Sequence, residues 1–321
     1  MKPIESLLRS LIREQIYSNT PLRGMRRLTE GGGAFPEVNS VVPRGLLLLN
    51  IDNALRLSGL EDMEYEVVGN KTKDFFGDID IAVDVQKMRE LLGIKSDQEI
   101  WPALKRLLDG KVTYRIQPGL SQFHILSDLI DSKGPVNAID PESHEQISGV
   151  PGKIQVDVFV GSLQWMRHTS SGAPPESGYK AVYRNFLLFA IIGAVPANLT
   201  SDEAQIAAQY PDKQIKKKIL TNFRKGVIER LYYEETAIGK TGKPLKDPKI
   251  VVVNERINPD ANQISSLFLK RTVPWEDFNS YEELFNQFNS SNFKFPELRE
   301  KILETFKSDL KKNNLKIPDN I

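Results

Sequence analysis

The chain has 321 residues, a formal net charge of +1 at pH 7, and 40% hydrophobic and 26% charged residues. This composition is typical of a globular protein of one or two domains. It contains no cysteine, which excludes a disulfide framework, a thiolate nucleophile and a cysteine-rich zinc site. The apolar runs are too short for a membrane span, and the N-terminus lacks the apolar region of a signal peptide. We therefore expect a cytoplasmic protein with no membrane partner.

The first 60 residues predict a helical arm. Apolar residues recur at helical spacing over residues 4–16, a glycine-rich loop follows at 31–33, and a leucine-rich helix covers 44–57. From residue 61 to 175 the pattern predicts a mixed α/β core, because apolar and polar residues alternate in several short runs. The predicted strands are 65–68, 78–83, 111–117, 122–126 and 153–160, with helices at 85–92 and 97–107.

A stretch rich in Gly, Ser and Pro at residues 169–178 predicts a linker to the C-terminal domain. Beyond it, helical patterns cover 179–192, 201–233 and 281–312, a hairpin is predicted around 245–254, and the last residues, 313–321, are expected to fray. The predicted fold class is thus α+β. Its parts are the helical arm 1–60, a core with a mixed β-sheet at 61–175, and a mainly helical C-terminal domain at 176–321.

Two carboxylates share one face of a predicted core strand. In the run Gly77-Asp78-Ile79-Asp80-Ile81, the isoleucines face one way and Asp78 and Asp80 the other, because side chains alternate along a strand. In the predicted strand 153–160, Asp157 likewise lies opposite a stripe of branched apolar residues. If the two strands are neighbours, three carboxylates converge into a ligand set for two Mg²⁺ or Mn²⁺ ions. The alternative is a solvated strand edge without a function.

Small and basic residues precede the first acidic strand. Gly69 permits close backbone approach, the next turn is expected to start a short helix whose N–H groups attract anions, and Lys71 and Lys73 add positive charge. A solvated charged turn is the alternative for Lys71. The run Gly239-Lys240-Thr241 is similar to the end of a P-loop but lacks the earlier glycine, so we reject it as a nucleotide site.

The order of these motifs resembles the DNA polymerase β-like nucleotidyltransferase superfamily. Val68-Gly69-Asn70, then Gly77-Asp78-Ile79-Asp80, then Asp157 match its glycine loop, its Gly-Asp-x-Asp strand and its later single Asp on an antiparallel strand. The chain is most similar to nucleotidyltransferase-like proteins of large tailed phages, because Glu30-Gly31-Gly32-Gly33-Ala34-Phe35 also stands in the expected place. The similarity covers residues 30–160.

The resemblance implies an NTP substrate and transfer of NMP to an acceptor hydroxyl with release of pyrophosphate. Asp78, Asp80 and Asp157 are then the catalytic metal ligands, and the nucleotide contacts are Gly69, Asn70, Lys71, Lys73, Gly77, Lys180 and Tyr183. Asn70 stands where the superfamily has a serine that binds the triphosphate, and its amide can donate the same hydrogen bond. Lys180 and Tyr183 are implied as triphosphate and base contacts from the first C-terminal helix, with an ordinary helix surface as the alternative.

The acceptor is predicted less directly. The segment Lys213–Lys225 holds six basic residues and fits an RNA backbone, but a solvated helix face explains it equally well. A protein or small molecule is the other acceptor, which makes a protein-modifying, AMPylating-type enzyme the alternative function. A catalytically silent phage binding module with this fold is a third possibility. His168 is close in sequence to the third Asp, but a lone histidine is more often structural.

Overall fold

The computed structural model describes residues 34–69, 71, 73–236 and 248–321. In these ranges the helices are α1 Leu47–Ser58, α2 Val85–Leu92, α3 Ile100–Leu108, α4 Leu163–Thr169, α5 Ala181–Ala194, α6 Ser201–Ala208, α7 Ala261–Phe268, α8 Tyr281–Asn289 and α9 Arg299–Lys312. The strands are β1 Val42–Pro43, β2 Tyr65–Val67, β3 Phe75–Phe76, β4 Ile79–Asp84, β5 Thr113–Gln117, β6 Gln122–Asp128, β7 Ile130–Asp131, β8 Gly134–Pro135, β9 Asn137–Ile139, β10 Gln146–Pro151, β11 Lys153–Gly161, β12 Lys216–Asn222, β13 Gly226–Glu235 and β14 Lys249–Asn258. The predicted helix at 4–16 and the glycine loop at 31–33 lie outside the described residues.

A five-stranded mixed sheet forms the centre of the core, in the order β2-β4-β11-β6-β5. β4 and β11 run parallel, and every other neighbouring pair in this sheet is antiparallel. The strand that carries the third acid, β11, was expected to be antiparallel. It is antiparallel to β6 but parallel to β4. Together with the helices, this sheet confirms the predicted α+β class.

Alternation of side chains explains why β4 and β11 lie at the centre of the sheet. One face of the pair is apolar and packs in a single cluster with residues of α1 and α3. Its central members are Ile79, Ile81, Val83, Val156, Val158 and Val160. The other face carries Ala82 and Phe159, which pack against Met166 of α4. Burial of a branched aliphatic side chain contributes about 1.5–3 kcal/mol, so the two acidic strands are held firmly on both sides.

The second core surrounds α5, a helix whose residues are apolar almost all the way round. It packs against α8 and α9 and against the three-stranded sheet β12-β13-β14. Arg184 lies fully inside this core, where its guanidinium donates to the carbonyl oxygens of Asn279 at 2.7 Å and His168 at 3.1 Å. Among the described residues, no helix is both long and apolar enough to cross a membrane.

The prediction of helix throughout 201–233 is wrong. α6 ends at Ala208, and the basic segment continues as β12 and β13, two antiparallel strands. The turn between them explains the change: Asn222 Oδ1 accepts hydrogen bonds from the backbone N–H groups of Arg224 and Lys225, and Gly226 has a φ of +117°. An Asn side chain that caps its own turn and a glycine with positive φ are features of hairpins.

Of two smaller expectations in this half, one lies partly outside the described residues and the other, the fraying of the last residues, is wrong. Residues 245–247 of the predicted hairpin lie outside the described residues, and the rest belongs to β14, which adds to β13 as the third strand. The last residues are held in place, because the Tyr281 hydroxyl donates to Asn320 Oδ1 at 3.0 Å and Pro318 is buried. The described part of the C-terminal half thus combines helices with the sheet β12-β13-β14.

Candidate functional site

Asp78, Asp80 and Asp157 lie together at the centre of the core sheet. Each offers a carboxylate oxygen that lies within 4.8 Å of the oxygens offered by the other two. Strand register explains the meeting, because Asp80 of β4 and Asp157 of β11 are direct partners and Asp78 immediately precedes β4. Asp157 is only 2% exposed, whereas Asp78 and Asp80 are partly exposed. We call these three residues the acid group.

Neighbouring side chains hold Asp157 by one of its two oxygens. His124 Nδ1 lies 2.7 Å from Oδ1, and Gln155 Nε2 donates to the same oxygen at 2.6 Å. His124 is the direct partner of Asp157 across the β6–β11 pair. Gln155 in turn accepts a hydrogen bond from the backbone N–H of Ala34 at 3.0 Å. These two bonds fix the carboxylate through Oδ1 and leave Oδ2 for a further ligand.

Gly69 passes directly against the acid group. Its φ is +77°, and a Cβ atom added to it would lie 3.1 Å from Asp80 Oδ2. Its N–H donates to the Ser170 carbonyl at 2.8 Å, and its own carbonyl accepts from the N–H of Gly172 at 2.9 Å. The backbone at this point requires glycine both for its conformation and for its closeness to the carboxylate. The predicted linker 169–178 thus packs against the site.

A small cleft opens beside the acid group. Lys73 and Gly77 line it together with Asp78 and Asp80. Apolar residues form the remaining wall: Leu47, Val67, Val68, Phe76 and Ile79. Lys71 is exposed and is not among the lining residues, and Asn70 lies outside the described residues. Of the sequence-predicted phosphate contacts, Gly69, Lys73 and Gly77 are therefore the ones the structure brings to the acids.

The short helix expected after Gly69 does not occur in the described residues of this loop. Phe75 and Phe76 instead form β3, which pairs with β1. Aromatic residues favour strands, and Phe75 stacks on His144 with ring centroids 3.8 Å apart. The loop therefore offers an anion no helix N-terminus between residues 73 and 77.

Arg44, which was not among the predicted site residues, binds this loop. Its guanidinium donates to the carbonyl oxygens of Lys71 at 2.7 Å and Lys73 at 3.1 Å, and its backbone N–H donates to that of Asp74 at 2.8 Å. Arg44 thus binds three backbone carbonyl groups of this loop. No local signal marks the residue, because its partners lie about 30 positions away.

The structure places Lys180 and Tyr183 at the start of the second core. Lys180 is the N-cap residue of α5. Tyr183 is buried among other aromatic rings, 5.2 Å from Tyr179 and 6.2 Å from Tyr281 between centroids, and this burial raises the pKa of its hydroxyl. Neither residue lines the cleft beside the acid group. The nucleotide contacts implied for them stay predictions.

His168 belongs to the packing of the second core and not to the acid group. Its ring lies 5.1 Å from that of Trp275. Burial lowers the pKa of His168, with smaller contributions from nearby charges, which favours the neutral imidazole. His168 therefore has the buried, packed surroundings of a structural histidine.

The basic segment Lys213–Lys225 is not the solvated helix face that was the alternative to RNA binding, because it runs through β12 and the turn after it. Most of its cations lie against carboxylates: Lys213 with Glu235, Lys216 with Glu234, Lys217 with Glu203 and Glu229, and Lys225 with Asp97. Arg224 is buried, at 2% exposure, and Lys218 is exposed. The acids come from other strands and helices, so local charge counting could not reveal them. The segment does not present a continuous cationic track.

Comparisons with known proteins add little to this geometry. No family model matches the chain, and no curated protein matches it. A solved structure of Leishmania infantum polymerase β, a ternary gap complex, is similar with a TM-score of 0.31 and 14% sequence identity. The match covers 65% of this chain and 66% of that chain, just under two thirds of its length. A likeness of this extent carries no argument for an activity, so the function proposed below rests on the site itself.

Proposed function

We propose that the protein is a metal-dependent nucleotidyltransferase that moves NMP from an NTP to an acceptor hydroxyl. The observation that carries this proposal is the acid group, whose three carboxylate oxygens from two adjacent strands lie within 4.8 Å of one another. Like charges at this distance repel, so the arrangement is costly unless cations meet it. The proposal explains why the fold keeps three acids together beside a cleft with a lysine.

The donor set suits Mg²⁺ or Mn²⁺, since carboxylates are the hard oxygen ligands that these cations prefer. Asp78 and Asp80 would hold one ion, and all three acids a second. Bound there, the ions would act as Lewis acids on the reacting phosphate oxygens. The rigid packing of β4 and β11 supports this role, because it fixes the ligands before a nucleotide arrives.

The chain's own residues divide the remaining work. In the proposed reaction the acceptor oxygen bonds to the α-phosphorus, the bond from that phosphorus to the β-phosphate oxygen breaks, and pyrophosphate leaves. Asp157 orients the acceptor hydroxyl and takes its proton. Lys73 and the backbone at Gly77 meet the triphosphate, a role that the shared cleft supports. Gly69 permits close approach, because it has no side chain.

The acceptor is proposed only as a hydroxyl. The prediction of an RNA end as acceptor depended on the basic segment Lys213–Lys225. Five of the six cations in this segment are buried or lie against acids. A protein side chain and a small molecule satisfy the same chemistry at the acid group.

The purified protein should be incubated with each of the four α-³²P-labelled NTPs, with Mg²⁺ or Mn²⁺, and with RNA, a protein mixture or small polyols as acceptors. We expect label to join one acceptor class and an equal amount of pyrophosphate to form, both abolished by EDTA. Asp80→Asn removes one ligand, and Asp62→Asn, in an exposed turn, is its matched control. Transfer that survives EDTA, or that Asp80→Asn leaves intact, would contradict the proposal.

A further inference from the structure

Arg224 was predicted as part of a basic surface, but it lies inside the molecule. It occupies the turn between β12 and β13, and its guanidinium stacks on Phe159 of β11, 3.8 Å from the ring centroid. Phe159 and Asp157 are two residues apart on one strand, so they share a face of the core sheet. The turn of the C-terminal sheet therefore reaches the face that carries the third acid.

A line of hydrogen bonds connects this guanidinium to Asp157. Arg224 Nη2 donates to Gln122 Oε1 at 3.3 Å, Gln122 Nε2 lies 3.3 Å from His124 Nε2, and His124 Nδ1 lies 2.7 Å from Asp157 Oδ1. Strand register accounts for the alignment, because Gln122 faces Phe159 and His124 faces Asp157 across the β6–β11 pair. The four strand residues form a compact patch beside Arg224.

The chemistry of the donors gives this line one direction. An arginine has only donors, so Gln122 must turn its carbonyl oxygen toward Arg224 and its amide nitrogen toward His124. His124 Nε2 must then accept, which places the ring hydrogen on Nδ1. A carboxylate at Nδ1 requires the same tautomer. Every bond thus donates toward Asp157, and the two ends of the line agree on one orientation of each side chain.

We propose that Arg224 is a positioning residue for the acid group. Gln122 Nε2 also donates to Gln117 Oε1 at 2.9 Å. Together with that bond, Arg224 fixes the amide of Gln122 and so holds the His124 ring in the orientation whose Nδ1–H anchors Asp157 Oδ1, which keeps Asp157 in place beside Asp78 and Asp80. This inference rests on the proposed function in treating the acid group as a cation site.

A second contact of Arg224 supports the same role on the other side of the site. Its Nη1 donates to Ser170 Oγ at 3.3 Å, and the carbonyl of Ser170 accepts from the N–H of Gly69 at 2.8 Å. Gly69 is the residue that passes against Asp80. One buried side chain from the C-terminal sheet therefore braces both Asp157 and the glycine beside Asp80.

Two measurements test the proposal on the full chain. Long-range ¹H–¹⁵N NMR of the metal-free protein reports the tautomer of His124, which we expect to carry a hydrogen on Nδ1 and none on Nε2. Mn²⁺ binding is then measured by EPR for wild type, Gln122→Met, Arg224→Met, Arg224→Lys and the Gln122→Met/Arg224→Met double variant. Lys225→Gln, in the same turn and 42% exposed in its side chain, is the matched control.

We expect Gln122→Met and Arg224→Met to weaken Mn²⁺ binding by roughly 10–100-fold, as outer partners of metal ligands do. The double variant should lose no more than either single one, because both interrupt the same line. Arg224→Lys keeps a donor for Gln122 and should recover part of the loss, and Lys225→Gln should bind like wild type.

A wild-type His124 with its hydrogen on Nε2 would overturn the proposal. Losses of Mn²⁺ affinity that add in the double variant would also overturn it. So would wild-type Mn²⁺ affinity in Gln122→Met, and this variant tests the proposal even if Arg224→Met does not fold. Wild-type protein that binds no Mn²⁺ at all would instead contradict the proposed function, and the His124 tautomer, measured without metal, would still test the line of hydrogen bonds.

Discussion

Two charged groups inside this molecule are satisfied in opposite ways. The Lys217 ammonium, with a side chain only 6% exposed, lies 2.9 Å from a carboxylate oxygen of Glu203 and 2.8 Å from one of Glu229. Asp157, at 2% exposure, is met through Oδ1 by a histidine and a glutamine and has two further carboxylates for neighbours. The first group joins opposite charges, and the second collects like ones.

The difference separates a structural network from a candidate site. Lys217 and its glutamates complete one another, since they link β12 to β13 and to α6 without any further ligand. A cation that binds the acid group reduces the repulsion among its carboxylates, so its free energy depends on what binds. We expect substitutions in the first group to change unfolding and substitutions in the second to change metal binding and catalysis.

The largest expected effect is the loss of transfer in Asp78→Asn. The side chain is partly exposed and outside the apolar clusters, so removing one of three repelling carboxylates should leave the metal-free melting temperature equal or higher. Loss of a metal ligand removes several kcal/mol of transition-state stabilisation, which corresponds to at least about a thousandfold in rate. Pyrophosphate release and thermal unfolding, with and without Mg²⁺, check the two halves of this prediction.

Asp62→Asn serves as the control here as well, because it removes an exposed acid from a turn and not from the acid group. Mg²⁺ should raise the melting temperature of wild type and of this control but not of Asp78→Asn. If Asp78→Asn responds to Mg²⁺ like wild type, the acid group is not the metal site.

Breaking the opposite-charge network should cost stability instead. Lys217→Met leaves Glu203 and Glu229 facing each other without their common cation. Removal of one partner from a buried ion pair costs about 3–5 kcal/mol, and we expect the lower end, about 3 kcal/mol, because the glutamates keep 16% and 24% exposure. Urea unfolding measures the loss. Lys218→Met, on the same strand but exposed, should change the free energy of unfolding by less than about 0.5 kcal/mol, and an equal loss in both variants would contradict the network.

The comparison also shows what the sequence could predict. The core strands follow from the local alternation of apolar and polar residues around Ile79, Ile81 and Val156. The meeting of the three acids could be predicted on one further condition, that the two strands lie side by side. β12 was missed because a lysine-rich run without proline suits a helix, while the Glu229 and Glu203 carboxylates that hold it come from other elements.

Residues that act through distant partners were also missed. Arg44 reaches loop carbonyls 27 and 29 positions away, and His124 reaches Asp157 33 positions away. The sequence did contain a signal for one pair. Gln122 and His124 are two residues apart and so share one face of their strand, and two polar residues on one face are unusual for a central strand. Only the strand register, which single-sequence patterns do not fix, shows that this face meets Asp157.

A smaller effect is expected where backbone conformation meets the acid group. Gly69→Ala places a Cβ 3.1 Å from Asp80 Oδ2 in a residue whose φ is +77°. The conformation costs about 1 kcal/mol of stability, and displacement of Asp80 should lower the transfer rate by about tenfold. Gly93→Ala is the matched control, since its φ is +63° and nothing lies within 4 Å of the added atom. It should lose similar stability and no activity, and a loss of activity in both variants would show that closeness to Asp80 is irrelevant.

The smallest effect is the pH dependence of the Lys217 network. Burial alone would raise the pKa of Glu203, but hydrogen bonds from Lys217 and from the backbone N–H of Thr200, with the attraction of the ammonium, outweigh it and lower the pKa below its ordinary value of 4.5. A carboxyl group whose pKa is lower in the folded than in the unfolded protein stabilises the fold fully when the pH is above the pKa of the unfolded state. That stabilisation is lost as the pH falls through the pKa of the folded state.

Glu203→Gln should therefore be less stable than wild type at pH 7, and the difference should shrink as the pH falls below about 4.5, where wild type also loses the charge. Urea unfolding of both proteins between pH 3 and 7 measures this difference, and subtraction removes the titration of the acid group, which is common to both. Asp202→Asn, an exposed neighbour on α6, is the control and should track wild type across the range. A Glu203→Gln difference that stays constant down to pH 3 would mean that the carboxylate charge does not stabilise the network, and that Lys217 is held by hydrogen-bond geometry alone.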